Sequence, residues 1–262
     1  MLSGLDKPMI FSEIMAKSGK LYAKCFKYFI VWAVLIAAMN MVDKLYAPIP
    51  AGLASNHLGI MLGNLSFVVL ATMFLGSILT SGMVVQLYHT IHDKELNVKD
   101  NITTALHRGV LVFVISLLAA VIAIVLMSVM SLIPVVGQSL SFVIMAYFFV
   151  LFFAWAPLTM TQEANIGKSF IMSFKLVRGQ WWPTFGIIFM VAIVMVGIDI
   201  LVSLALGGFN TVAGGQINGG ALIANFIITA LLTPWAYGVV LLQIENLKLW
   251  QTRRDALEDA IK

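Results

Sequence analysis

Hydrophobic residues run through this chain in blocks too long for a soluble core, and polar residues fall between the blocks rather than alternating within them. No Asp, Glu, Lys or Arg occurs from Leu45 to His92 or from Gly109 to Gln162, and from Gly179 to Ile244 there is one, Asp199. A helix rises ~1.5 Å per residue, so ~20 apolar residues cross the ~30 Å hydrocarbon layer of a bilayer. By that measure the pattern predicts six transmembrane helices, at about 28–46, 60–88, 109–132, 139–161, 182–206 and 221–244. Pro134 and Gly137 divide the block 109–162 with a tight turn, and the Gly- and Asn-rich stretch 207–220 divides the last one. The expected fold class is all-α, a single polytopic membrane domain over residues 1–262.

The segments between the spans carry a second pattern. Glu13, Lys17, Lys20, Lys24 and Lys27 recur at intervals of four and three, which places them on one helical face. Ile10, Phe11, Ile14, Met15, Leu21, Tyr22 and Phe26 take the other, and Pro8 suits the first turn. This reads as an amphipathic helix lying at a membrane surface and leading into the first span. Similar segments, Asn97–Gly109 and Asn165–Gly179, precede the third and fifth spans, and both end in Arg-Gly. The chain thus reads as a three-fold repeat of amphipathic helix plus transmembrane hairpin. Chance likeness between amphipathic helices explains the same pattern equally well, because the two later segments differ in length.

Charge orients the bundle. The chain holds 16 Lys and Arg residues, and all but Lys44 fall before residue 28, in 93–108, in 163–178 or after 245. Six spans put those four segments on one side, so the positive-inside rule predicts that both termini are cytoplasmic. Only 11% of residues are charged and 61% are hydrophobic, with mean hydropathy +0.98. The net charge of +4 is accounted for by anchors beside an anionic leaflet, so no nucleic-acid partner is expected. One cysteine, Cys25, excludes an internal disulfide. Met1–Lys27 lacks the apolar core of a cleavable signal, so the first span is expected to be retained.

Candidate chemistry is sparse. Asp199 is the one ionisable residue within a span, and such residues are functional candidates by default. It lies 17 residues beyond Trp182, roughly 26 Å along the helix, close to the outer interface, where a role in helix packing outweighs transport. His89, His92 and Asp93 could offer two imidazoles to a metal, but no third ligand is identifiable, and polar anchoring is the better reading. Pro157 and Pro234 are expected to kink spans four and six. Gly59-x-x-x-Gly63 and Ser77-x-x-x-Ser81 permit close helix approach within the chain. Lys17, Lys20, Lys24, Lys27, Arg178, Trp181 and Trp182 are the expected lipid-surface anchors, and Leu247–Arg254 reads as a closing interfacial helix. No phosphate-binding glycine loop, paired-cysteine metal motif or Ser/His/Asp arrangement is recognisable, so no cofactor, metal site or enzymatic activity is expected.

Three places carry a family resemblance. One is Ala154-Trp155-Ala156-Pro157-Leu158 followed by Glu163, Lys168-Ser169-Phe170 and Leu176-Val177-Arg178-Gly179-Gln180-Trp181-Trp182. Another is Leu231–Tyr237 with Pro234, then Gln243–Trp250; the third is the six-span plan itself. In these the chain resembles the YciC-like bacterial inner-membrane proteins and the membrane domain attached to some glycerophosphodiester phosphodiesterases. It departs from that pattern at Phe170 and Ile171, where the family often pairs Ala or Ser with Arg. The resemblance implies a multi-pass protein of the bacterial inner membrane, and 262 residues leave no room for a phosphodiesterase domain. The expected role is a non-enzymatic one in membrane lipid organisation or as an accessory subunit, with phospholipids and a membrane-protein partner or second copy as partners. A small transporter or exporter of an apolar or lipid-like substrate is the alternative.

Overall fold

The computed structural model of the protein describes residues 7–46, 67–94, 97–131, 137–161, 165–205 and 219–261. Among them are eight helices and no strand: α1 (Phe11–Tyr46), α2 (Phe67–Ile91), α3 (Val98–Ser131), α4 (Gly137–Phe152), α5 (Trp155–Thr161), α6 (Ile166–Val177), α7 (Trp181–Ala205) and α8 (Gly219–Ile261). Six stretches are long and apolar enough to cross a membrane: Phe11–Val42, Val69–Ile91, Val98–Val129, Ser139–Thr161, Trp181–Val202 and Leu222–Ala260. The protein is an all-α, multi-pass membrane protein. The expected turn at Pro134, the Gly-rich stretch 207–218, Gly59, Gly63 and Glu163 lie outside the described residues.

In chain order the spans close a ring. α1 packs on α2, α2 on α3, α3 on α4, α4 on α7, α7 on α8, and α8 returns to α1. Contacts of α2 with α8 and with α5 fill the middle. The starts of α1, α3 and α7 and the ends of α2, α5 and α8 meet at one end of the bundle, termed here the base. Burial is uneven. Some 44% of the apolar window of α8 is buried, against 11% for α3 and for α7, so α8 is the central helix and α3 and α7 present most of their surface outward. α8 enters both apolar clusters. Val239 and Leu242 join Ile14, Leu21, Cys25 and Phe29 of α1 and Met83 and Leu87 of α2, while Ile244 and Leu247 join Leu151, Ala154 and Leu158 of the fourth span and Leu176 of α6.

The first amphipathic segment is not a separate surface helix. α1 is unbroken over 36 residues, roughly 54 Å, because one apolar stripe runs through it. Ile14, Ser18, Leu21, Cys25, Phe29, Ala33 and Ala37 are all buried on that stripe. Of the apolar face expected from sequence, Ile14 and Leu21 are buried, whereas Ile10, Phe11 and Phe26 are exposed. Pro8 precedes the helix rather than sitting in its first turn; the Glu13 carboxylate accepts the Ile10 N–H at 3.1 Å, half of a capping box. α3 likewise runs without a break through Arg108-Gly109. The third segment alone is a separate helix, α6, so the third unit of the suspected repeat is built differently from the first two. The closing segment Leu247–Arg254 also belongs to one helix, the 43-residue α8.

The two Arg-Gly pairs do different work. A Cβ on Gly109 would stand 2.6 Å from the Ile78 Cα, so this glycine lets α3 lie directly on the α2 backbone. Gly179 adopts φ +89° and turns the chain between α6 and α7, with the Gln180 N–H donating to the Val177 carbonyl at 2.9 Å. Gly109→Ala is expected to destabilise the protein by about 1–3 kcal/mol through overpacking. Gly19→Ala, where a Cβ meets nothing within 4 Å, should leave stability equal or raised, and a thermal-shift assay in mild detergent separates the two.

Candidate functional site at the base of the bundle

Where α1 begins, α7 begins and α8 leaves the apolar layer, three polar side chains form a buried chain. The Met9 N–H donates to Asn246 Oδ1 at 2.7 Å, Asn246 Nδ2 donates to Gln243 Oε1 at 3.2 Å, and Gln243 Nε2 donates to Thr184 Oγ1 at 3.1 Å. Thr184, Gln243 and Asn246 are all buried. Each bond contributes only about 1 kcal/mol net, but leaving one of these groups buried and unmade costs about 1–3 kcal/mol. The relay therefore fixes the segment ahead of α1 against α7 and α8.

One cavity borders the relay and a second adjoins the first. The larger, about 400 Å³, is lined by Met9, Ile10, Phe11, Ile14, Pro183, Gly186, Ile187 and Leu247, together with Gln243 and Asn246. The smaller, about 260 Å³, is lined by Leu176, Gly179, Gln251, Arg253, Arg254 and Leu257. Gln180 and Trp250 line both, so the two cavities adjoin, and together they are termed the groove. Arg254 Nη1 donates to the Arg178 carbonyl at 3.0 Å across the Gly179 turn, and the Arg253 guanidinium lies 5.9 Å from the Trp250 ring centre. The groove thus passes from an apolar half to a half with two guanidinium groups.

Beside it the fourth span is broken. Pro157 has no N–H to offer the Phe153 carbonyl, and the helix is interrupted at Phe153-Ala154 between α4 and α5. The break is tied to α6. Ser173 Oγ donates to the Leu151 carbonyl at 2.9 Å, and Trp155 Nε1 donates to the Ile166 carbonyl at 3.0 Å. Phe170 stacks on Phe152 at 4.2 Å. α6 is thereby held against protein through Ser169, Ser173, Leu176 and Val177, all buried. Pro234 behaves differently: α8 continues through it as one helix.

The other residues singled out from the sequence disperse. Asp199 lies far from the groove and accepts a hydrogen bond from Asn225 Nδ2 at 2.8 Å, tying α7 to α8. The His-x-x-His-Asp run is split. His92 Nδ1 lies 2.9 Å from the Tyr88 carbonyl, and its Nε2 is 3.9 Å from Glu245. Asp93 is 2.6 Å from Lys24. No group of three metal-ligating side chains occurs among the described residues. Of the expected anchors, Lys24 is the one bound to Asp93, Lys27 sits over the Tyr28 ring at 4.8 Å, Lys17 and Lys20 sit on the same α1 face, and Trp182 is 75% exposed. Trp181 is half-buried and stacks on Tyr147 and Phe185. Ser77 and Ser81 are buried and donate to the carbonyls one turn back.

Sequence reasoning missed Thr184, Gln243 and Asn246 as site residues. Uncharged amides and hydroxyls carry no motif, and the Met9–Asn246 contact joins positions 237 apart. The available signal was the i, i+3 spacing of Gln243 and Asn246 at the polar edge of an otherwise apolar helix. No family model, curated protein or solved structure matches this chain.

Two outcomes follow. Asn246→Leu is expected to cost about 1–3 kcal/mol and to speed amide exchange at Met9–Ile14, read by thermal shift and hydrogen exchange. The Lys24 ammonium holds the Asp93 carboxyl below the usual aspartate range, through their hydrogen bond and then their charge attraction. A carboxyl depressed in the folded state gives stability present above its unfolded pKa and lost as pH falls through the lower folded value. The clasp should therefore persist through the ordinary carboxylate range and open only at more acid pH. Asp93→Asn should remove that acid-limb transition from a titration of the α1–α2 contact followed by nuclear magnetic resonance.

Proposed function

We propose that this membrane protein is a non-enzymatic, YciC-like component of the bacterial inner membrane, oriented with both termini in the cytoplasm, that organises anionic phospholipid at the inner leaflet. One observation carries the reading: every described Lys and Arg except Lys44 belongs to the segments that meet at the base. Lys20 and Lys27 are exposed on α1, as are the apolar side chains of Phe11, Phe26 and Tyr28, and that of Ile10 just ahead of it. A surface of that kind seats its apolar groups among acyl chains and its ammonium groups at phosphates, each cation near the leaflet contributing about 1 kcal/mol. Cytoplasmic orientation follows from the same distribution.

A second reading, a small transporter or exporter of an apolar or lipid-like substrate, is favoured by the break in the fourth span, since discontinuous helices border substrate sites in many transporters. Asp199 lends it little support, because its carboxylate is hydrogen-bonded at a helix contact distant from the break. Replacing Lys17, Lys20 and Lys27 by Gln, with Lys24 kept for its partner Asp93, tests the first reading. In low-salt nanodiscs the variant should retain phosphatidylglycerol over phosphatidylcholine roughly two orders of magnitude more weakly, from about 1 kcal/mol per lysine. Unchanged selectivity overturns the lipid-surface reading, and a stoichiometric protein partner released on polymer extraction replaces it with an accessory-subunit role.

A further inference from the structure

The groove beside the Met9–Asn246 relay has the form of a site for one amphiphile. Its larger half, about 400 Å³, falls within the roughly 300–1,000 Å³ of small-molecule sites. It is too small for a protein partner, which needs about 800 Å² of surface on each side. Apolar side chains of Met9, Phe11, Ile14 and Ile187 line that half, and Gln180 and Trp250 lead from it to Arg253 and Arg254. Among the described residues no Asp or Glu lines either half. The arginines are partly positioned in advance: Arg254 spends one donor on the Arg178 carbonyl, and Arg253 lies over Trp250. Each guanidinium offers five N–H donors in a fork that suits phosphate oxygens. In a membrane-embedded chain the ligand present at high concentration with an apolar tail and an anionic head is a phospholipid.

We propose that this groove binds a single anionic phospholipid, with part of an acyl chain in the cavity beside Gly186 and the phosphate between Arg253 and Arg254. The proposal deepens the lipid-surface reading by naming one stoichiometric site within it. The relay gives the site its wall: Asn246 holds Met9, and with it the first turns of α1, at the groove's edge. Gly186 supplies its depth, since a Cβ there would meet nothing within 4 Å.

The test uses native mass spectrometry of the full chain in detergent mixed with dioleoylphosphatidylglycerol or dioleoylphosphatidylcholine. Wild type should hold one phosphatidylglycerol per chain at concentrations where phosphatidylcholine does not bind. Arg253→Gln with Arg254→Gln should weaken that adduct at least tenfold. Gly186→Leu, whose Cβ would meet nothing within 4 Å, puts an apolar side chain into the larger half and should weaken the adduct to a similar extent with an unchanged midpoint of thermal unfolding, separating loss of the site from loss of the fold. Retention of the single adduct by either variant overturns the proposal. The lysine variant's loss of leaflet selectivity is read independently, so the broader lipid-surface reading can stand while this site fails.

Discussion

The packing of α8 against α1 is the constraint on which the rest of the structure depends. In the hydrocarbon layer, water supplies neither hydrogen bonds nor a hydrophobic drive between helices, so association rests on close packing and on a few polar contacts. α8 brings both. Its Gly238 faces Leu21 of α1, whose Cδ2 lies 3.5 Å from where a Cβ would stand, an ordinary contact, and five residues on Gln243 opens the polar relay that ends at Met9. Because α8 also contributes Ile244 and Leu247 to the second apolar cluster, the same helix fixes α6 and the broken fourth span. Releasing α1 from α8 would open the ring at the seam where the groove lies.

Several polar contacts at the base join different helices: the Met9–Asn246 relay, Lys24 with Asp93, His92 near Glu245, and Ser173 on the Leu151 carbonyl. Asp199 with Asn225 joins α7 to α8 towards the far end. At the base a side chain can reach the headgroup region, where polar partners cost little to solvate. The base is therefore the part of the molecule in which specific chemistry is affordable, and that is where the candidate site is found.

Much of this was legible in the sequence. Uncharged length alone predicts six spans because the bilayer imposes a fixed thickness; Trp181–Ala205 matches the expected 182–206, whereas α1 and α3 begin well before, and α8 ends well after, the spans expected from sequence. Pro157 foretold the interrupted fourth span, since a missing N–H is a local property. The surface helices were legible as polar stripes but not as separate or continuous. Lys17, Lys20, Lys24 and Lys27 mark a change of solvent along α1, while Ile14, Leu21, Cys25 and Phe29 continue one stripe across that change, and the backbone follows the stripe. The groove was not legible. Thr184, Gln243 and Asn246 come together through tertiary packing, and their residue types announce no chemistry in isolation. Lys24 illustrates the same gap: its sequence spacing marks it as a lipid anchor, while its partner Asp93 lies 69 residues away.

The seam between the first and last helices can be measured directly. Cys25 is the single cysteine and is buried, so a Cys25→Ser chain carrying Ile10→Cys and Gln251→Cys can be spin-labelled at two sites beside the groove. Pulsed electron paramagnetic resonance in phosphatidylglycerol-containing nanodiscs then reads the separation of α1 and α8. A single narrow, short distance, broadened when Asn246→Leu removes the relay, is the result the account predicts. A long or broad distribution in the chain with an intact relay would mean that α1 does not close on α8, and would contradict it.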